Sequence, residues 1–202
     1  MKIGALDGGT SYHYVALHQP PFNQYIDRTI YLPELAEADL DDLDDLDVLI
    51  VTCRSHPEQL RRNADKLQAF LAQGKTLMIM GETEPQTWMP GIEQEAVPLN
   101  YWWWLEPDGE FDLEVASPDH SIWQYLSLAD MTWHYHGLLN PPETATPLLV
   151  HKETGQAVLW TDDHFHGGRV LVTSLDPFFH HGSHFMPATT RFLHGFFQWL
   201  KA

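Results

Sequence analysis

The sequence predicts an α/β domain built on a mostly parallel sheet, and three observations carry that prediction. Two short runs, Val48-Leu49-Ile50-Val51 and Leu77-Met78-Ile79-Met80, are apolar at every position, as strands buried on both faces are. Between them Leu60, Ala64, Leu67, Phe70 and Leu71 recur at helical spacing. The whole strand–helix–strand span takes roughly 35 residues, the size of a right-handed βαβ unit.

The elements follow in order. Lys2 to Leu6 is a short apolar run ending in Asp7-Gly8-Gly9, a buried first strand and a tight turn. Asp27 to Leu32 alternates and carries β-branched and aromatic residues, which fits an edge-like second strand. The connection Glu34 to Asp47 is a run of carboxylates in which Leu35, Leu40, Leu43 and Leu46 allow a turn or two of weakly amphipathic helix. Such a run is expected to be a solvated surface segment, with an interaction site as the alternative. Ser55-His56-Pro57-Glu58 has the form of a capping box opening the central helix, and Gly74 closes it as a C′ residue. Residues 85–145 read as a largely irregular, aromatic-rich excursion with short strands. Pro147–His151 and Gln156–Thr161 form an antiparallel hairpin through Glu153-Thr154-Gly155. Arg169–Ser174 is a further strand after Gly167-Gly168. A closing helix from about Thr189 to Leu200 buries Phe192, Phe196 and Trp199 or Leu200.

Composition bounds the function. A chain of 202 residues that is 44% hydrophobic suits one domain, 1–202, with a substantial core. The formal net charge of −17, from 28 acidic and 11 basic residues, argues against nucleic-acid binding and against an anionic membrane surface. Cys53 is the sole cysteine, so no intrachain disulfide can form. Met1-Lys2 leads straight into Ile3-Gly4-Ala5-Leu6 with no signal-peptide pattern, and no apolar run approaches the roughly 20 residues of a membrane span. A cytoplasmic location is expected.

The order of these segments is similar to that of the class I glutamine amidotransferase-like superfamily. The segments that carry the likeness are Asp47 to Val51, Gly74 to Gly81 and Gly168 to Pro177. Within the superfamily the chain resembles the ThuA-like branch, associated with trehalose utilisation. Asp119-His120-Ser121-Ile122 resembles that branch's DHPI turn, and Ala157-Val158-Leu159-Trp160 with Gly168-Arg169-Val170 resembles its PVVW … GKGRV hairpin. The resemblance implies a flavodoxin-like sheet with flanking helices. It also exposes departures. Where an amidotransferase carries a nucleophilic cysteine, this chain reads Met80-Gly81-Glu82-Thr83; where the family has His-Pro-Glu, it reads Asp176-Pro177-Phe178. Glutamine hydrolysis by the usual triad is therefore not expected.

Open α/β sheets bind ligands beyond the carboxyl ends of their strands. That places Asp7, Gly8 and Arg54 as ligand-binding candidates, with Glu82 and Asp176 as paired carboxylates for acid–base work or for gripping hydroxyls. The plainer alternative has Glu82 capping the next segment and Asp176 anchoring a turn. Cys53, beside Arg54 and a helix start, is a candidate nucleophile, or a small inert core residue. Among 13 histidines, His164, His166, His180, His181 and His184 have two-apart and four-apart spacings that can present ligands to a divalent metal such as zinc. The alternative is polar histidines lining a dry or sugar-binding cleft. His134 and His136 alternate with Trp133 and Tyr135, which suits a ligand-facing edge or a strand with one polar face. Trp102 and Trp104 would share a strand face, where they could stack on sugar rings, cover the sheet edge or build an oligomer interface. Two readings follow. One is a protein binding or acting on a small polar ligand, such as a carbohydrate, in a cleft lined by Asp7, Arg54, Glu82, His134, His164, His166, Asp176 and His180. The other is a catalytically inactive domain serving in homo-oligomerisation or partner binding.

Overall fold

A computed structural model describes residues 1–36, 43–97, 105–109 and 111–202. Its ten described strands are β1 (Ile3–Asp7), β2 (Arg28–Tyr31), β3 (Val48–Val51), β4 (Thr76–Met80), β5 (Glu93–Glu95), β6 (Leu113–Val115), β7 (Leu138–Asn140), β8 (Thr146–His151), β9 (Ala157–Phe165) and β10 (Gly168–Thr173). The helices are α1 (Ser11–His18), α2 (Pro57–Arg62), α3 (Ala64–Ala72), α4 (Pro177–Gly182) and α5 (Pro187–Leu200). All ten strands join one sheet. Its parallel half has the order β2-β1-β3-β4-β10, which is the flavodoxin-like order. From β10 the sheet continues antiparallel through β9, to which β7 and β8 pair, with β5 on β7 and β6 on β8.

The uninterrupted apolar runs have a direct cause. Val48, Ile50, Met78 and Met80 enter a core on one face with α1 and α5, where Leu17, Phe192, Phe196 and Phe197 pack. Their neighbours Leu49, Val51, Leu77 and Ile79 enter the other core with Leu60, Leu67, Phe70 and Leu71 of α2 and α3. Strand side chains alternate between faces, so a sheet covered on both sides leaves no position for a polar residue. The edge strand β2, by contrast, has only partly buried or exposed residues.

Several elements differ from the sequence reading. The cap of α2 is His56, whose Nδ1 accepts from the Glu58 N–H at 3.3 Å; Ser55 lies fully buried, beside Thr52. Pro57 fixes the first helical residue, which moves the cap one place beyond the expected Ser55. The helix also breaks at Asn63, whose side chain donates to the Gln59 carbonyl at 2.9 Å instead of facing solvent. Helices α1 and α4 have no apolar stripe of helical period to announce them. The excursion, by contrast, carries the short strands expected of it, and these, β5, β6 and β7, extend the antiparallel half. In the acidic connection Leu35, Leu43 and Leu46 are buried, so these three leucines are anchors while Asp44 and Asp45 meet Lys75, Lys2 and Arg28; Leu40 lies outside the described residues. Trp102 and Trp104, with the stacking or interface role expected of them, lie outside the described residues.

Candidate functional site

Four turns meet over the carboxyl edge of the parallel half. The Arg54 N–H donates to the Glu82 carbonyl at 2.9 Å, and the Gly81 N–H donates to Thr173 at 2.8 Å, which ties the ends of β3, β4 and β10 together. Gly8, after β1, lies against Ser55. Gly81 sits at φ +67°, and a Cβ there would come within 2.3 Å of the Cys53 Cβ and 3.0 Å of the Asp176 Cβ. Glycine is required at that crossing both for its backbone conformation and for the space it leaves.

Asp176 follows β10 as the N-cap of α4, and its side chain is fully buried. One helical turn on, His180 places Nε2 3.1 Å from Asp176 Oδ1. The segment 132–137 crosses above, held by the His136 N–H, which donates to the Ser174 carbonyl at 2.9 Å, and by the Gln94 amide, which donates to the His136 carbonyl. Its alternation is real: Trp133 and Tyr135 enter the core while His134 and His136 face Asp176. His136 Nε2 stands 3.1 Å from Asp176 Oδ2, and its Nδ1 contacts the Glu82 carboxylate. His134 Nε2 is 2.8 Å from His180 Nε2. One ligand atom from each of His134, His136, Asp176 and His180 lies within 4.8 Å of the others, so this cluster could hold a metal ion.

The electrostatics follow from burial against pairing. Burial pushes Asp176 up, but the imidazoles of His136 and His180 outweigh it and hold the carboxyl down at about 2. Burial pushes His136 down, yet Asp176 and Glu82 together raise it to about 9. His134 has no such pair of acids; burial lowers it to about 4, with His180 and His136 adding to the effect against Asp176. Without a metal, the cluster at neutral pH is a charged His136 between two carboxylates, with a neutral His134 beside it.

No protein-family model and no curated protein matches the chain. Solved structures do. A cytoplasmic protein from Salmonella typhimurium LT2 aligns with TM-score 0.56 at 14% identity, covering 96% of this chain and 97% of that one. A β-galactosidase from Bacillus circulans sp. alkalophilus aligns with TM-score 0.53 at 16% identity, over 98% of this chain and 30% of that enzyme. A ThuA-like protein from Bacteroides uniformis ATCC 8492 aligns with TM-score 0.52 at 10% identity, over 98% of this chain and 89% of that one. The fold is ThuA-like.

Within this ThuA-like fold the sequence candidates separate. Glu82, Asp176, His134, His136 and His180 come together, with Arg54, Gly8 and Asp7 on the same edge. The Asp7 carboxylate accepts from the Gly9 N–H at 2.8 Å and stabilises its own turn. Arg54, at φ +57°, lays its guanidinium over the Phe179 ring at 4.0 Å.

The expected five-histidine metal group does not assemble; only His180 joins the cluster. His181, on the neighbouring residue of α4, turns to Thr190 and the Phe22 ring. His184 lies beyond the end of α4 at φ +58°, so its four-residue spacing from His180 no longer means a shared face. His164 and His166 stand at the β9–β10 turn, where β10 begins beside the start of β4, at the opposite edge of the parallel half. His166 is drawn away by the Pro90 carbonyl at 2.7 Å.

Cys53, the candidate nucleophile, is closed off from the cleft. It is 1% exposed, and burial, reinforced by Asp176, raises its thiol well above the ordinary range despite Arg54. Its Sγ lies 3.3 Å from His13 Nε2. It is a packed thiol and not an activated nucleophile. His13, in α1, is the buried neighbour that the sequence reading passed over; Thr10, whose hydroxyl accepts from the His13 N–H, is the cap that could have marked the helix.

Among the described residues, no helix is long and apolar enough to cross a membrane.

Proposed function

We propose that this chain binds or acts on a small polar ligand, with carbohydrate as the leading class, at the carboxyl edge of its parallel strands. One observation carries the reading. A cavity of about 310 Å³ opens on this edge, and Glu82, Glu84, Gln86, Gln94 and His136 are among its lining residues. Carboxylates accept from hydroxyls, and amides both donate and accept, so such a lining suits a polyhydroxylated molecule of modest size. Ala96, Val97 and Gly137 supply the apolar remainder against which a sugar ring can rest.

Roles follow from position. Glu82 is half exposed toward this cavity while its carboxylate touches His136, which lowers its pKa against the cost of burial. An ionised carboxylate there is suited to accept a proton or a hydroxyl hydrogen bond. Asp176 is shut behind His136 and acts as a positioning residue for the imidazoles.

The same proposal includes a class I glutamine amidotransferase-like ancestry without that chemistry. The turn after β4, where such enzymes place their cysteine, keeps a left-handed residue at Gly81, but Cys53 and Asp176 fill the space of any side chain there. Phe178, at the expected glutamate position, is buried in the core.

The test is thermal unfolding of the metal-free chain across a panel of mono- and disaccharides, polyols and sugar acids. A ligand selective for the native state raises the midpoint. We expect at least one sugar to raise it by about 2–4 °C, the scale of ~1 kcal/mol in a domain this size, and the shift to shrink in Gln94→Ala. A flat response across the panel contradicts the reading.

A further inference from the structure

We propose that His134, His136, Asp176 and His180 form a binding site for one divalent first-row transition metal, with Glu82 as the outer carboxylate that orients His136. This goes beyond the ligand reading and stands without it.

The first argument is what Asp176 lacks. Its side chain is fully buried, and both oxygens stand 3.1 Å from imidazole nitrogens. Yet neither oxygen has an aligned hydrogen bond among the described residues. The pairing with His136 and His180 offsets its burial, but a buried carboxylate is ordinarily met by aligned donors, and one met only by close ion-pair contacts keeps lone pairs open to a further cation. Imidazole nitrogens 3.1 Å from each oxygen of a buried carboxylate, with a third imidazole 2.8 Å from one of them, are what a ligand set looks like around its ion.

The second argument is the donor set. Three imidazoles and one carboxylate suit zinc, iron, nickel or copper and are too nitrogen-rich for magnesium or calcium. No thiolate joins, since Cys53 belongs with His13.

The third argument is the shell behind it. A metal-bound imidazole characteristically gives its other nitrogen to a carboxylate, which fixes the ring. His136 does so: Nε2 faces the cluster and Nδ1 contacts Glu82, the same residue that lines the cavity. The metal would thus stand one imidazole away from the ligand cleft.

The donor atoms lie within 4.8 Å of one another, and bonds of about 2.0–2.1 Å at a tetrahedral ion would bring each pair to roughly 3.3 Å, so the 2.8 Å pair of His134 and His180 opens while the widest-spaced donors close in. The ligands also come from fixed points: the turn after β10, the first turn of α4, and a segment hydrogen-bonded to both Ser174 and Gln94. A rigid frame of this kind costs little to organise around an ion.

The experiment is a titration of the chelator-treated full chain with cobalt(II), followed by its visible ligand-field absorption, with zinc as the competitor. The expected result is a saturable band at one ion per chain, displaced by zinc. His180→Ala and the more exposed His134→Gln should each weaken binding by about 100-fold or more, while Glu82→Gln should weaken it by about 10–100-fold. His164→Ala should leave the titration unchanged. Absence of a saturable band overturns the proposal. So does a band that survives both His180→Ala and His134→Gln, or one that His164→Ala removes. Because the sugar panel is run without metal, failure of one proposal is separable from failure of the other.

Discussion

The two edges of the parallel half carry histidines of similar sequence spacing and opposite fate. At the carboxyl edge, His134 and His136 stand two apart and converge with His180 on a buried carboxylate. At the amino edge, His164 and His166 also stand two apart, beside Asp162 and Asp163, and remain exposed. There the Asp162 carboxylate is spent locally: it accepts from the His164 N–H at 2.8 Å and from Thr144 at 2.6 Å. Spacing therefore does not make a site. What separates the pairs is whether the acid between them is buried without local donors, and whether another chain segment passes overhead.

The sharpest way to break this comparison is through the glycines of the two edges. Gly81→Ala must place a methyl group against Cys53 and also hold φ +67°, so a loss of about 4 kcal/mol in urea unfolding is expected. Gly167→Ala, at φ +89° but with no neighbour nearer than 3.6 Å, should cost only about 1–2 kcal/mol. Equal losses would mean that the carboxyl edge is no more tightly packed than the other.

The pH dependence sharpens it next. Burial holds His13 at about 4 in the folded chain, against Asp7 and Asp176, which raise it, and with Arg54, which lowers it further. A base whose pKa is depressed on folding leaves the unfolded state binding the extra proton. Its contribution is therefore whole above pH ~6.5 and is lost as pH falls from there toward 4, amounting to about 3 kcal/mol. Urea midpoints at pH 7.5 and pH 5 should separate in the natural chain and draw together in His13→Gln. An unchanged separation in that variant would remove His13 from the account.

Smallest is the effect expected at the amino edge itself. His166→Ala gives up one exposed hydrogen bond to Pro90 and should change stability by about 0.5 kcal/mol or less, readable in the same urea series. A loss above about 2 kcal/mol would show that this edge is more than a solvated turn.

Much of the fold was legible because a sheet covered on both faces writes itself as unbroken apolar runs, as in Val48–Val51. Glu82 and Asp176 were legible for a related reason: both follow such runs, and strand ends are where this architecture gathers its chemistry. The grouping of the histidines was legible only in part: strand-end convergence puts His134 and His180 beside Glu82 and Asp176, but it wrongly puts His164 and His166 with them. His134 and His136 reach the site through a backbone hydrogen bond from His136 to Ser174, and no local pattern in residues 85–145 encodes that path. Asp176-Pro177 does carry a helix-start signal, a cap followed by proline, and reading it would have put His180 one turn above Asp176. It would also have shown that His181 must point elsewhere. His13 sits in a helix whose residues, Ser11 to His18, lack a continuous apolar face, so periodicity gave no warning of its burial.

The proposed metal belongs at the carboxyl edge and not at the histidine-rich amino edge. Anomalous diffraction at the zinc edge from crystals grown with one equivalent of zinc tests it directly. One strong peak is expected about 2.0–2.2 Å from nitrogens of His134, His136 and His180 and from an Asp176 oxygen. A map empty there, or a dominant peak between His164 and His166, would contradict it.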